Sequence, residues 1–151
     1  MLDHRDVMVA LAKDQGWRRG IELGIGQGLL LSRLLNAGVN MIGVDLGLRE
    51  DRRAKQETIA RKHPSTCRMF WMATRDAADK VDNGWADFLF IDAAHSYRSV
   101  KEDIERWSRK VRPGGWIGGH DYHPKFPGVI QAVNEAFQEI AQLPHYVWAA
   151  I

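Results

Sequence analysis

IELGIGQGLL, residues 21–30, joins a short apolar run to a leucine-rich helical pattern through three alternating glycines. A strand that ends in a glycine-rich turn and leads directly into a helix is typical of the first unit of a doubly wound α/β sheet. In such sheets ligands bind beyond the carboxyl ends of the strands, where the strand order reverses. Residues 21–30 therefore predict the fold class and the edge of the sheet that carries the functional site.

The rest of the chain continues this alternation of strand and helix patterns. Residues 86–91 (ADFLFI) form a nearly continuous apolar run, as expected for a strand buried on both faces of a parallel sheet. The predicted strands are residues 20–23, 40–44, 67–72, 86–91, 116–119 and 145–151. The predicted helices are residues 3–14, 29–35, 50–62, 76–81, 98–110 and a last segment from Pro127, with Val129, Val133, Phe137 and Ile140 along one stripe. We predict one domain over residues 1–151, with a Rossmann-like, doubly wound, mostly parallel α/β sheet of about six strands, helices on both faces, and shortened ends.

The composition predicts an ordinary globular protein rather than a membrane or nucleic-acid-binding one. The 151 residues are 45% hydrophobic and 26% charged, with a net charge of +2. No apolar run approaches the length of a membrane span, and the single Cys67 fits a reducing cytosol, so we expect a cytoplasmic location. The densest basic patch, residues 52–55, is flanked by acidic residues and is typical of a solvated helix face. Neither a membrane nor nucleic acid is an expected partner.

The glycine stretch favours a cationic ligand over a dinucleotide. In a dinucleotide fingerprint, G-x-G-x-x-G, the third glycine would stand where this chain has Leu29. Glu22, two residues before the first glycine, would repel a pyrophosphate and favour a ligand with an ammonium group and a positive sulfur. Asp45 ends the second strand, about where a carboxylate accepts bonds from ribose hydroxyls. The sequence thus predicts an S-adenosylmethionine site.

Four segments resemble the class I S-adenosylmethionine-dependent methyltransferases. They are Glu22-x-Gly24-x-Gly26-x-Gly28, Asp45, ADFLFIDAAH (residues 86–95) and VRPGGWIGGHDY (residues 111–122). Within that family the chain is most similar to small O-methyltransferases that act on sugars and macrolides, and the resemblance covers about residues 5–142. It implies that Glu22 and the glycine loop hold the methionine part, that Asp45 holds the ribose, and that residues 72–74, including Ala73 and Thr74, flank the adenine.

The stretch IDAAHSY, residues 91–97, is the candidate catalytic segment. An aspartate after a strand often caps the next helix, but Ser96 or Ser99 can do so here, and Ser99-x-x-Glu102 has the spacing of a capping box. Asp92 is then free to face the cleft. We predict that His95, at the carboxyl edge of the sheet, is the general base that takes a proton from an acceptor hydroxyl.

A divalent metal is a second element of the predicted site. Asp121 follows the fifth strand as Asp92 follows the fourth, so the two carboxylates can converge on Mg²⁺ if the strands are neighbours. His120 could add an imidazole and favour Mn²⁺, Fe²⁺ or Zn²⁺, or it could point away.

Three hypotheses follow from these residues. The first is metal-assisted O-methylation of a hydroxylated small molecule, and the second is the same transfer by His95 without a metal. The third is an S-adenosylmethionine-binding protein or subunit without its own catalysis. The six tryptophans and the shortened sheet also favour self-association as a homo-oligomer.

Overall fold

The computed structural model describes all 151 residues, with seven strands and six α-helices that alternate along the chain as far as β6, after which β7 follows through a short turn. The strands are β1 (Arg19–Leu23), β2 (Asn40–Asp45), β3 (Cys67–Trp71), β4 (Ala86–Ile91), β5 (Val111–Gly119), β6 (Ile140–Leu143) and β7 (Val147–Ala150). The helices are α1 (His4–Asp14), α2 (Leu29–Asn36), α3 (Glu50–Lys62), α4 (Thr74–Ala77), α5 (Tyr97–Trp107) and α6 (Pro127–Ala136).

All seven strands form one sheet in the order β3-β2-β1-β4-β5-β7-β6. The neighbours from β3 to β5 are parallel, and β7 runs antiparallel to both β5 and β6. From β1 the chain continues outward through β2 and β3, and it then returns to β4 on the other side of β1. The strand order therefore reverses between β1 and β4, and a crevice opens there at the carboxyl edge. The predicted Rossmann-like α/β class is confirmed.

The predicted strand number is one too low, because the sequence analysis extended the last helix too far. Helix α6 ends at Ala136, and Phe137 is already extended, with φ −129° and ψ 136°. Ile140 lies in β6, where it pairs with Ala150. Phe137 and Ile140 matched the helical stripe because both pack against the same core as α6. Burial alone does not distinguish a helix from a short strand, so a 3.6-residue spacing can continue past a helix end by chance.

Strand β5 also begins earlier than predicted. It starts at Val111, which pairs with Ala86, and the next pair along is Trp116 with Phe88. Residues 112–115 (RPGG) therefore form a bulge within the strand instead of a turn before it. Proline and glycine are tolerated in a strand at such a bulge, so a sequence pattern typical of a helix stop is also compatible with a bulged strand.

Apolar side chains cover both faces of the sheet. Helices α5 and α6 pack on one face, with Trp107 and Val133 fully buried. Helices α1 and α2 pack on the other face, where Met8 and Leu34 are fully buried. Because both faces are covered, the sheet has solvent access for a ligand mainly along its edges, and the crevice at the carboxyl edge becomes the main candidate site.

None of the helices combines the length and the apolar character that a bilayer crossing requires.

Helix α2 offers a direct test of the packing. Leu34 is 0% exposed between the sheet and α1, whereas Leu29 on the same helix is 50% exposed. We expect Leu34→Ala to lower the free energy of unfolding by about 2–5 kcal/mol, because it leaves a cavity in the core. Leu29→Ala should change it by no more than about 0.5 kcal/mol. Urea unfolding of both variants measures the difference, and equal losses would contradict this packing.

Candidate cofactor cleft and histidine–aspartate cluster

The glycine loop between β1 and α2 lies directly against the end of β4. Gly24 has φ 82°, and a Cβ atom there would lie 2.1 Å from the carbonyl oxygen of Asp92. Gly28 has φ 80°, and its Cβ would lie 2.3 Å from Cδ1 of Ile59. A Cβ at Gly26 would meet nothing within 4 Å. Close approach to backbone therefore requires glycine at position 24, whereas at position 28 the flexible end of Ile59 can move aside. All three positions have a left-handed backbone conformation, which favours glycine.

Two polar side chains hold the loop from the β2–α3 side. One carboxylate oxygen of Asp45 accepts hydrogen bonds from the amides of Ile25 (2.9 Å) and Gly26 (3.1 Å). The amide of Gln56, on α3, donates to the carbonyl of Gly26 at 2.8 Å. Gln56 is fully buried, although the rest of α3 is almost entirely polar. Gln56 is not predictable from the sequence, because a helix without an apolar stripe does not indicate which of its polar residues faces inward.

Asp45 has little remaining capacity to accept hydrogen bonds. Its second carboxylate oxygen accepts from the amide of Gly47 at 2.9 Å, so three donors already bond to the four lone pairs of the group. One further donor, such as a single hydroxyl, can be added. The proposed ribose contact of Asp45 remains a prediction, and the structure adds a role in holding the loop.

A cleft of about 510 Å³ opens in front of the loop. This volume lies in the usual range for small-ligand sites. The residues predicted for the site that line it are Gly24, Gly26, Asp45, Ala73, Thr74 and Asp92. Glu22 and Gly28 do not line it. Further lining residues that were not predicted for the site include Leu46, Arg52, Ser99, Glu102 and Asp103.

Glu22 lies behind the cleft wall, only 3% exposed. Its Oε2 atom is buried and has no hydrogen-bond partner. Burial raises the pKa of this carboxyl well above its ordinary value, and the negative charge of Asp92 raises it further. An ionised carboxylate in this position is stabilised by a cation nearby.

Asp103 is a second buried carboxyl at the cleft. The hydroxyl of Thr74 donates to it at 2.5 Å, and the carbonyl of Thr74 accepts from the indole of Trp107 at 3.1 Å. Burial raises the pKa of Asp103 to about 6. Asp103 occupies the same helical stripe as Val100, Ile104 and Trp107. A carboxyl on an apolar stripe is a signal that could have identified it from the sequence.

The three predicted acceptor-side residues Asp92, His95 and Asp121 come together at the carboxyl edge. One ligand-type atom from each lies within 4.8 Å of the others. Nε2 of His95 lies 2.5 Å from Oδ2 of Asp121, and the ring of His95 stacks on Phe126 with 4.2 Å between centroids. Asp121 has a left-handed backbone, with φ 61°, which is uncommon for a residue with a side chain.

His120 points toward the two aspartates instead of away from them. Its Nδ1 lies 3.3 Å from Oδ1 of Asp121 and 3.6 Å from Oδ1 of Asp92, while its Nε2 lies 3.0 Å from the carbonyl oxygen of His145. Burial opposes the protonation of His120, but the carboxylates of Asp92 and Asp121, with the carbonyl of His145, together raise its pKa. The ring of His4 stacks on that of His120 with 3.9 Å between centroids. Burial, reinforced by His120, lowers the pKa of His4.

His4 was not among the predicted site residues. It lies near the N-terminus, far along the chain from every other member of the cluster, and no motif surrounds it. Its position follows from the packing of α1 on α2, which local sequence patterns do not reveal.

The capping prediction is correct for one serine and wrong for the other. Ser96 is the N-cap of α5, and its hydroxyl accepts a hydrogen bond from the amide of Ser99. Ser99 therefore lies inside the first turn, and the predicted box between Ser99 and Glu102 does not form. Because Ser96 caps the helix, Asp92 is not needed as its N-cap.

Comparison with known proteins identifies the family. A family model described as a methyltransferase domain matches residues 21–122. An uncharacterized protein of Acanthamoeba polyphaga mimivirus is 30% identical in a 132-residue alignment that covers 80% of this chain. The match covers 59% of that relative, so the chain spans less than two thirds of its length.

Solved structures share the fold at low sequence identity. The O-methyltransferase TomG from Streptomyces achromogenes, in complex with S-adenosylmethionine, has a TM-score of 0.72 and 15% identity, with 97% of this chain and 78% of that chain covered. A TDP-rhamnose 3′-O-methyltransferase of calicheamicin biosynthesis also has a TM-score of 0.72, with 14% identity over 99% of this chain and 80% of its own.

The strand order, with a glycine loop at the switch point between β1 and β4, defines an α/β protein of the class that binds nucleoside-containing ligands at the carboxyl edge. The chain belongs to the methyltransferase-domain family. The resemblance to class I S-adenosylmethionine-dependent methyltransferases is thereby confirmed.

Gly24 and Gly26 provide a matched pair for testing the loop contact. Alanine at either position must adopt a left-handed backbone conformation, which costs about 1 kcal/mol or more. Only Gly24→Ala also drives a Cβ atom into the backbone of Asp92. We therefore expect Gly24→Ala to destabilise the protein clearly more than Gly26→Ala in urea unfolding. A smaller loss for Gly24→Ala would show that the loop does not press against β4.

Proposed function

We propose that this protein is an S-adenosylmethionine-dependent methyltransferase that methylates a hydroxyl group of a small molecule. The observation that carries the proposal is the buried, unpartnered carboxylate oxygen of Glu22 beside Asp92, at the switch point of the sheet. The Glu22 oxygen has no basic side chain bonded to it and lies beside a second carboxylate, which disfavours an anionic ligand and favours a cationic one. Membership of the methyltransferase-domain family supports the same conclusion.

The cleft residues divide the cofactor site into three parts. Gly24 and Asp92 would line the place of the charged methionine end, where Gly24 leaves the wall without a side chain. The carboxylate of Glu22, behind that wall, would add to the attraction of Asp92 for the ammonium group. Asp45 would accept one ribose hydroxyl with its remaining lone pair. Ala73 and Thr74 would flank the adenine, next to Asp103. When bound, S-adenosylmethionine supplies a methyl group on a positively charged sulfur.

On the acceptor side, His95 would act as general base. The carboxylate of Asp121 can only accept, so a neutral His95 must carry its hydrogen on Nε2, which leaves the lone pair on Nδ1. Phe126 fixes the plane of the ring. As His95 takes a proton, the carboxylate of Asp121 stabilises the imidazolium, as the aspartate of a catalytic triad does.

Asp92, Asp121 and His120 would hold a divalent metal at the same edge. Oδ2 of Asp121 is engaged by His95, but its Oδ1 faces His120 and is available as a ligand. A metal there would supply a Lewis acid that orients an acceptor oxygen and lowers the pKa of its hydroxyl.

A binding protein without its own catalysis is the second candidate. The side chain of His95 is 43% exposed, so the acceptor side of the cleft is open to solvent. A bound acceptor or a second subunit would have to cover this open side. Self-association, a cytoplasmic location and a single domain over residues 1–151 stay predictions.

Substitution of Glu22 tests the cofactor assignment. We expect Glu22→Gln to weaken binding of S-adenosylmethionine by about tenfold or more in calorimetry, since it removes a buried charge from a cation site. Glu139→Gln, an exposed matched control, should bind normally. Tight binding of NAD by the wild-type protein, or unchanged affinity in Glu22→Gln, would exclude the assignment.

The same variant has an opposite effect on the stability of the free protein. In the unfolded chain Glu22 ionises around its ordinary pKa of about 4.3, whereas in the folded protein its pKa is raised. Wild-type stability should therefore fall as pH rises above about 4.3 toward the raised value, because the folded state resists losing the proton. Without a cofactor, Glu22→Gln should melt at a higher temperature than wild type at pH 8, and the gap should shrink near pH 4.

Substitution of His95 tests the acceptor chemistry. Formation of S-adenosylhomocysteine is measured with a panel of nucleotide sugars, catechols and macrolides, and sugars are tested first because one structural neighbour methylates TDP-rhamnose. We expect His95→Ala to lower turnover by about 10²–10⁴-fold and to leave cofactor affinity unchanged, because it removes a general base. His63→Ala, on α3's far end, is the matched control. Full activity of His95→Ala would remove it as the base, and cofactor binding without turnover on any acceptor would favour the second candidate.

A further inference from the structure

We propose that His4, Asp92 and His120 form a nitrogen-rich site for a transition-metal ion, with Co²⁺, Zn²⁺, Fe²⁺ or Mn²⁺ preferred over Mg²⁺. One ligand-type atom from each residue lies within 4.8 Å of the others. The site adds His4, from the first helix, to the edge of the sheet that carries the proposed acceptor chemistry. The inference deepens the proposed function and rests on it for what the metal does there, but not for whether the metal binds.

The hydrogen bonding of His120 already resembles that of a metal ligand. The carbonyl oxygen of His145, 3.0 Å from Nε2, can only accept a hydrogen bond, so Nε2 carries a hydrogen. Metal-bound histidines commonly donate their second ring nitrogen to a backbone carbonyl in this way. The remaining nitrogen, Nδ1, faces the cluster interior.

The two carboxylate oxygens that face Nδ1 of His120 favour a cation at this position. Oδ1 of Asp121 lies at 3.3 Å and Oδ1 of Asp92 at 3.6 Å, and neither ionised oxygen has a hydrogen to donate. A lone pair and two carboxylate oxygens at these distances repel one another unless a proton or a metal ion lies between them. Ligands at about 2.1 Å around a tetrahedral metal lie about 3.4 Å apart, which is close to the 3.6 Å between His120 and Asp92.

His4 is held where it can supply the second imidazole. Its ring stacks on His120 at 3.9 Å and lies parallel to Phe90 at 6.3 Å. A metal ion lies in the plane of each imidazole that binds it, so the ring of His4 must turn out of this stack about its side-chain torsions to bind the same ion as His120. The start of α1 is fixed by a complete capping box between Asp3 and Asp6. Arg33 of α2 bonds to Asp6 at 3.0 Å and ties the two helices together. The backbone position of His4 is therefore fixed by the capping box and by the bond between α1 and α2.

The donor set selects the class of metal. Two imidazoles and one carboxylate suit first-row transition metals, whereas Mg²⁺ prefers oxygen ligands and retains its waters. The ligand set proposed from the sequence, Asp92 and Asp121 with His120, contains one imidazole. The two sets share Asp92 and His120, so the dependence of metal affinity on His4 distinguishes them.

Cobalt binding tests the site without any methyl transfer. Protein freed of metal with EDTA is titrated with Co²⁺, and calorimetry is combined with the visible d–d absorption of the bound ion. We expect one Co²⁺ per chain, with a visible spectrum typical of nitrogen ligation. His4→Ala and His120→Ala should each lower the affinity at least tenfold, whereas His63→Ala should leave it unchanged. Excess Mg²⁺ should not displace the cobalt.

Three results would overturn the proposal. These are no cobalt binding by wild type, displacement of cobalt by millimolar Mg²⁺, or loss of binding in His95→Ala with full binding in His4→Ala. The first would mean that a proton on His120 balances the carboxylates, and the last would assign the ion to Asp92, His95 and Asp121.

His4→Gln repeats the test with a helix-compatible residue if His4→Ala fails to fold, as judged by circular dichroism. Because S-adenosylmethionine binding is measured separately on metal-free protein, failure of the metal site and failure of the proposed function are distinguishable.

Discussion

The contact between Gly24 and the backbone of Asp92 is the constraint on which the site depends. It holds the turn after β1 against the end of β4. The carboxyl ends of these two strands, which lie on either side of the switch point, therefore form the same side of the cleft. The amide of Gly24 donates to the carbonyl of Val44 at 2.8 Å, and the amide of Asp92 donates to the carbonyl of Leu23 at 2.8 Å. These bonds extend the sheet ladders by one residue beyond the strands. As a result the side chains that follow β1, β2 and β4 all open into the same crevice.

This close approach concentrates like charges. Glu22 lies in β1, Asp45 is the last residue of β2 and Asp92 follows β4, and these three strands are neighbours in the sheet. Burial denies Glu22 the solvation that an ionised carboxylate needs. A protein with no use for that arrangement would be more stable with an apolar residue at position 22. The repulsion is offset for Asp45 by three backbone amides, but not for Glu22. The free protein is thus electrostatically strained at the place where a cationic ligand would relieve it.

The features that the sequence predicted well share one property, which is that short-range patterns determine them. Apolar runs such as residues 86–91 marked the strands, and the polar residues directly after them, Asp92 and Asp121, came together because parallel strands end at one edge. What the sequence could not reveal depends on packing between distant segments. His4 reaches the cluster only because α1 packs on α2, and Gln56 is buried only because α3 crosses the glycine loop. Strand β6 was missed because four residues are too few to show a period.

The bond from Gln56 to the glycine loop has a spectroscopic consequence. The side-chain oxygen of Gln56 accepts from the indole of Trp71 at 2.9 Å, and the guanidinium of Arg53 lies 4.0 Å from the centre of the same ring system. Any displacement of Gly26 is therefore transmitted through one side chain to a fluorophore at the end of β3. Indole emission depends strongly on hydrogen bonding and nearby charge. In a variant whose other five tryptophans are replaced, the emission of Trp71 would therefore report the state of the loop without an attached label.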